Sequence, residues 1–276
     1  MVTRKQMADA LRELGVVNGD IVITHSSFKS LGPCENGADT VVSGISDAVG
    51  EDGTVVFPTL CQKDWENVYK NWNLDAPSDV GYLTNYFRKL DGAYRSDQAT
   101  HSVAAKGKDA IYITETHGKS GLRYGPYGDT PFSADSPWQK MYERNAKVLF
   151  IGCTVNACTF RHFAEYVVME EYLEKAKKMP NYEELLSRVW TYENYEEGGI
   201  WPHVENTYTV SLMEKEGLVR RTTVGDAQLT LIDAHEFVDW TIRLIKARDE
   251  GVFRNGRVFS KSENIAWLKE IAEYEA

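Results

Sequence analysis

Apolar residues fall in short runs separated by stretches of helical periodicity. "DIVITH" (20–25), "GTVVFPTL" (53–60) and "AKVLFIG" (146–152) are short and apolar, as expected for strands buried on both faces. Between them, "GADTVVSGISDAVG" (37–50) reads as a helix closed by glycine and "VGYLTNYFRKL" (80–90) as another helix. The opening "MVTRKQMADALREL" reads as an amphipathic helix. Strands alternating with helices of this length imply helices packed on the faces of a sheet, an α/β layer architecture. Further on, "GLVRRTTVGDAQLTLIDAHEFVDWTIRLIK" (217–246) predicts two strands joined at Val224-Gly225-Asp226 and then a helix. The C-terminal half therefore adds an antiparallel hairpin to the same mixed sheet. No repeat or low-complexity linker interrupts the chain, which favours a single domain over 1–276. The acid-rich, aromatic run at about 170–205 breaks the pattern and is expected as an excursion at one rim.

Composition narrows the function classes. With 276 residues, 42% of them hydrophobic, the chain can bury one large core. A net charge of −10 argues against nucleic acid, because phosphate binding needs a basic face. It suits a cationic small molecule, although solubility alone also accounts for it. Four cysteines are too few for a disulfide framework in a chain this long. The N-terminus lacks an apolar signal core, and the longest apolar run, "VLFIG" (148–152), is too short to span a bilayer. The expectation is a soluble cytoplasmic protein with no membrane or nucleic-acid partner.

Two stretches carry candidate chemistry. "THSSFKSLG" (24–32) directly follows a strand, and strand ends in α/β sheets are where ligands collect. Its hydroxyls and Lys29 suit phosphate or pantetheine groups, while an ordinary loop with serine turns is the plainer account. The GxxxxGK[ST] spacing of a Walker loop is absent. In "CTFRHFAEY" (158–166), Thr159, His162 and Glu165 recur every three residues, which places them near one face of a helix. A neutral histidine there can take a proton near pH 7, with a carboxylate orienting its ring. A buried histidine bonded to its neighbours is the structural alternative. Cys158 beside His162 suggests a nucleophile pair, and Cys153, Cys158 and His162 suggest metal ligands at an unusual spacing. Small buried cysteines explain both, so no metal is expected.

The ordered set of segments resembles the aminoglycoside 3-N-acetyltransferases, the antibiotic N-acetyltransferase family. The family's strand and His-Ser-Ser loop correspond to "GDIVITHSSFKSLG" (19–32), and its Gly-Thr-apolar-Pro-Thr element to "GTVVFPTL". "RSDQATHSVAAKG" (95–107), "DSPWQKM" (135–141), "VLFIGCTVNACTFRHFAEY" (148–166) and "VGDAQLTLIDAHEFVDWTI" (224–242) follow in the family's order. The resemblance implies a three-layer α/β/α sandwich, distinct from the GNAT fold. It also implies acetyl-CoA as co-substrate, a cationic amine acceptor such as the 3-amino group of a 2-deoxystreptamine ring, direct transfer, and resistance as the outcome.

It assigns the catalytic base to His162, a supporting hydroxyl to Thr159 and the acidic position to Glu165. The coenzyme segment falls on His25, Ser26, Ser27, Phe28, Lys29, Ser30 and Leu31. Acceptor contacts are expected from Asp97, Glu165 and Glu205, with Glu193, Glu196 and Glu197 as further candidates. The chain departs from the family in having Gln98-Ala99-Thr100-His101 where His-Pro is usual, and Asn156 separated from Thr159. The same chemistry on a non-antibiotic amino sugar or biosynthetic amine, or coenzyme A or amine binding without catalysis, remains the alternative.

Overall fold

The three apolar runs become the middle of one sheet. The structure, a computed structural model, describes residues 1–64, 67–191, 199–254 and 261–274. Strand β1 (Ile21–Ser26) lies between β2 (Thr54–Pro58) and β5 (Lys147–Ile151), parallel to both. With β3 (Tyr94–Arg95), β4 (Val103–Gly107), β6 (Arg220–Val224) and β7 (Ala227–Asp233) the order is β3-β4-β2-β1-β5-β7-β6. The β6–β7 hairpin pairs antiparallel with β5, as its turn residues predict. Gly225 takes φ +57 in that turn, and a Cβ there would lie 2.3 Å from the Leu31 carbonyl oxygen. The sequence did not announce that β4 also runs antiparallel, to β2, and that Thr59 N bonding Ser102 O (2.8 Å) prolongs this pairing. Antiparallel strands therefore flank the parallel centre on both sides.

Period-2 alternation divides the centre between two cores. In-register Val56, Ile23, Val148 and Ile232 face one side, and Val22, Val55, Leu149 and Leu231 face the other. The second face is covered by α1 (Arg4–Glu13), α2 (Ala38–Val49) and, after the short α3 (Val68–Asn71), α4 (Tyr82–Phe87). The first face is covered by α5 (Ala110–Thr114), α6 (Pro137–Glu143), α7 (Phe160–Ala176), α8 (Tyr182–Arg188), α9 (Asn206–Lys215), α10 (Ala234–Lys246) and α11 (Lys261–Glu273). This is a three-layer α/β/α sandwich. No described helix is long and apolar enough to cross a membrane.

The 170–205 stretch differs from the expected rim excursion. Helix α7 continues through it to Ala176, and Leu173, Leu185, Trp190, Trp201 and Val204 are buried in the larger core. Among its described acids, Glu171 pairs with Lys175 and Lys246 on the outer face, and Glu174 with Lys177. Acidic composition masked the apolar positions because a helix shows water one face and the core the other. Glu193, Glu196 and Glu197 lie outside the described residues.

A buried histidine ties the loops above the sheet together. His117 Nε2 lies 2.9 Å from the Pro131 carbonyl, which can only accept, so His117 donates there and accepts from Ser96 Oγ at Nδ1 (2.9 Å). Burial lowers its pKa to about 4. The unfolded chain, titrating near 6.5, then binds more protons below that pH, so stability is full above it and falls as pH drops towards 4. Urea unfolding should show His117 removing about 2 kcal/mol of stability between pH 7 and pH 5. His117→Gln should be less stable at pH 7 but flatter across this range; an unchanged slope would refute the assignment.

Candidate active site

The end of β5 feeds the reaction face. Gly152 turns the chain (φ +57), and Val155–Ala157 forms a 3-10 turn leading into α7. Asn206 holds this turn, its side-chain amide donating to the carbonyls of Val155 (3.0 Å) and Cys158 (3.2 Å). Thr159 is the N-cap residue, yet its side chain makes no capping bond. One and two turns on, His162 and Glu165 project from the same face, as their spacing predicts.

Glu165 is fully enclosed and is met by four donors. His162 Nδ1 (2.9 Å) and Trp201 Nε1 (2.9 Å) approach Oε2, while Val204 N (2.8 Å) and His203 Nδ1 (3.4 Å) approach Oε1. Burial works to raise its pKa, but the two histidines and their hydrogen bonds outweigh this, and the carboxyl sits well below its usual range. The three side chains bring ligand-type atoms within 4.8 Å of one another, although both carboxylate oxygens already hold N–H groups. The cluster reads as a hydrogen-bond network.

The other side of the His162 ring meets two polar side chains. Arg161 Nε donates to His162 Nε2 (3.2 Å), and the Tyr127 hydroxyl lies 3.3 Å from the same nitrogen. An acceptor at Nε2 fixes the tautomer: the proton is on Nδ1, facing Glu165, and the lone pair faces Arg161 and Tyr127. Burial lowers the ring's pKa below its usual value despite the opposing pull of Glu165, so His162 is neutral at pH 7.

His162 lines a cavity of about 240 Å³ with Gln62, His101, Tyr127 and Arg161. A second cavity of about 190 Å³ lies at the end of β1, lined by Thr24, His25 and Ser26. Leu60, Ala157 and Thr159 line both, so the two meet at the start of α7. In the second cavity's wall, Thr24 Oγ1 and His25 Nε2 are buried without hydrogen-bond partners. A third cavity of about 500 Å³ is lined by Tyr69, Tyr124, Gly125, Gly128, Asp129 and Thr130. The 125–130 loop separates it from His162, anchored by Tyr166, whose hydroxyl donates to Gly128 O and accepts from Tyr127 N. Glycine is required at 125, where a Cβ would lie 2.5 Å from the Tyr166 ring.

The structure thus brings Thr159, His162 and Glu165 together and sorts the other expected residues. Of the 25–31 loop, His25 and Ser26 line a cavity. Ser27 N extends the backbone pairing to Ile151 O, Phe28 packs on Tyr82, Lys29 is exposed, Ser30 Oγ bonds Ser27 O, and Leu31 is core. Asp97 accepts from Trp72 Nε1 and Glu205 caps α9 through Thr207 N, so both carboxylates are engaged within the fold. Tyr127, Arg161, Trp201 and His203 complete the centre and were not foreseen. "GPYG" (125–128) and "WPH" (201–203) read only as turn signals, and nothing in them ties either to His162.

With this geometry in place, the comparisons fall into line. Residues 23–246 match the Antibiotic_NAT family, aminoglycoside 3-N-acetyltransferase. Aminoglycoside N(3)-acetyltransferase III of Salmonella sp is 30% identical, the match covering 89% of this chain and 92% of that one. AAC-IIIb in its binary complex with CoASH superposes with a TM-score of 0.68 at 20% identity, over 89% of this chain and 97% of that chain. A variant of aminoglycoside acetyltransferase AAC(3)-IVa in complex with apramycin gives 0.65 at 21% identity, over 90% of this chain and 93% of that chain. The two superpositions show a shared fold. The chain is an enzyme of the acyltransferase class and belongs to the aminoglycoside 3-N-acetyltransferase family.

Cys158 is fully buried and burial pushes its thiol up to about 12, so it is protonated and unsuited to nucleophilic attack. Under native conditions at pH 8 it should resist iodoacetamide, as read by peptide mass spectrometry. Cys158→Ala should keep turnover within about tenfold, a barrier change of about 1.4 kcal/mol. A trapped acetyl-Cys158 would overturn this.

Proposed function

We propose that this enzyme moves the acetyl group of acetyl-CoA directly onto a primary amine of an aminoglycoside, the 3-amino group of the 2-deoxystreptamine ring, and so confers resistance. The observation that carries the reading is the His162 tautomer: Nδ1–H is held by a buried carboxylate, and the unprotonated Nε2, which accepts from Arg161 Nε, belongs to a ring that lines a cavity. The second cavity is assigned here to the acyl carrier because it lies at the end of a parallel strand and meets the His162 cavity at Thr159.

The residues divide the work. His162 Nε2 takes one proton from the attacking amine as its nitrogen bonds the thioester carbonyl carbon. The C–S bond breaks, and the proton passes on to the leaving thiolate, returning His162 to its neutral state. Glu165 keeps the ring in register and stabilises the transient imidazolium. Thr159, whose hydroxyl is not used as a cap and which lines both cavities, is placed to donate to the developing oxyanion. Asp129, on the large tyrosine-lined cavity, offers a carboxylate to a cationic acceptor, and the net charge of −10 favours its capture. His25 and Ser26 are the members of the 25–31 loop assigned here to the acyl carrier.

The direct test offers acetyl-CoA with aminoglycosides and with simple amines, recording thiol release and product mass. Acetylation of an aminoglycoside is expected; transfer confined to monocationic amines would replace the acceptor assignment. His162→Asn should lower kcat at least about a hundredfold, about 2.7 kcal/mol of barrier, while acetyl-CoA still binds. Because burial depresses the imidazole's pKa, kcat should hold through pH 6.5 and fall only at lower pH. A wild-type acid limb centred above 6.5, or a folded His162→Asn enzyme with near-normal turnover, would remove His162 from the role.

A further inference from the structure

His25 has more than a lining role open to it. It sits near the C-terminal end of β1, with its ring stacked on Phe150 of the neighbouring strand (5.4 Å between centroids, 14° between planes). The side chain is only 6% exposed. Its Nε2 is buried and, like Thr24 Oγ1 one residue earlier, has no hydrogen-bond partner. A buried polar group without a partner destabilises a fold, and His25 carries one at the wall of a cavity. Both residues line the cavity at the end of β1, and that cavity meets the His162 cavity at Thr159.

Burial holds the His25 pKa near 4, so the ring is neutral at physiological pH and carries a single N–H. A neutral imidazole has the right character for an electrophilic hydrogen-bond donor, since it polarises a carbonyl without giving up its proton. With the second cavity holding the acyl carrier and the first holding the base, the wall between them is where the thioester carbonyl must lie. We infer that the His25 imidazole N–H donates to the thioester carbonyl oxygen as negative charge develops there, so that His25 is a catalytic residue distinct from the base. This rests on the acetyl-transfer reading above. No bond to His25 forms or breaks; its hydrogen bond strengthens as the amine nitrogen attacks and relaxes when the C–S bond breaks.

The test compares His25→Leu and His25→Gln with wild type in acetyl-CoA turnover, together with their pH profiles and melting curves. His25→Leu should lose about 10²–10³ in kcat, with KM for acetyl-CoA changed less than about threefold. His25→Gln, which restores an N–H donor, should recover at least about tenfold of that loss, and its acid limb should match wild type because that limb belongs to His162. A turnover in His25→Leu within about threefold of wild type, a loss confined to KM, a glutamine variant no better than leucine, or a vanished acid limb would each overturn the assignment.

Should the leucine variant fail to fold, wild-type protein labelled with 15N-histidine decides the matter. One imidazole N–H resonance, identified by its absence in His25→Gln, should shift on adding S-acetonyl-CoA, which carries a ketone, but not S-ethyl-CoA, which carries none. Equal shifts with both would overturn the proposal. If wild type releases no thiol with any amine, the acetyl-transfer reading falls and takes this role with it. Active wild type with an unaffected His25→Leu removes only His25.

Discussion

The arrangement of this site depends on one buried carboxylate. Glu165 has no contact with water and remains ionised only because four N–H groups converge on its two oxygens. Uncompensated, such a charge would cost several kcal/mol; fully hydrogen-bonded, it becomes a rigid anchor. It draws together α7, which carries His162, and the 201–204 segment, which brings Trp201, His203 and Val204. One interaction thereby stabilises the packing of two distant segments and selects the tautomer of the ring between them. His162 can present a lone pair on one side because its only ring proton is held on the other.

The topology decides what that lone pair faces. Parallel β1, β2 and β5 end at the same edge of the sheet, where the loops that follow them diverge and leave room for ligands. The cavity at the end of β1 and the cavity at the start of α7 share Leu60, Ala157 and Thr159 in their walls, so the two adjoin. The 125–130 loop, fixed by Tyr166 and passing close over it because residue 125 is glycine, closes the remaining side. On the proposed reading, acyl donor and base occupy adjoining cavities, an arrangement suited to direct transfer between two bound substrates.

Much of this was legible in the chain. Short β-branched runs encode the central strands because a strand buried on both faces tolerates little else, and "VGD" encodes the hairpin because its turn needs positive φ at Gly225. The three-residue spacing of Thr159, His162 and Glu165 encodes a shared helical face because consecutive turns stack. These are local relations, carried by backbone geometry over fewer than ten residues, and a sequence states them directly.

What only the tertiary structure decided lies across long separations. Three of the four donors that keep Glu165 ionised come from 36 to 39 residues later, and Tyr127 reaches His162 from 35 residues earlier. No periodicity links such positions, because their meeting follows from how layers close over the sheet. The same reason explains the 170–205 run, whose acids are visible in the chain while the burial of Trp190 and Trp201 is set by the layers that close over them. It also explains β4, whose antiparallel direction depends on the path of the long connection from β2. For the loop after β1, the sequence marked seven candidate contacts, and packing kept His25 and Ser26 at the cavity while burying Leu31 in the core. A strand end faces both solvent and core, and only the fold determines which residue does which.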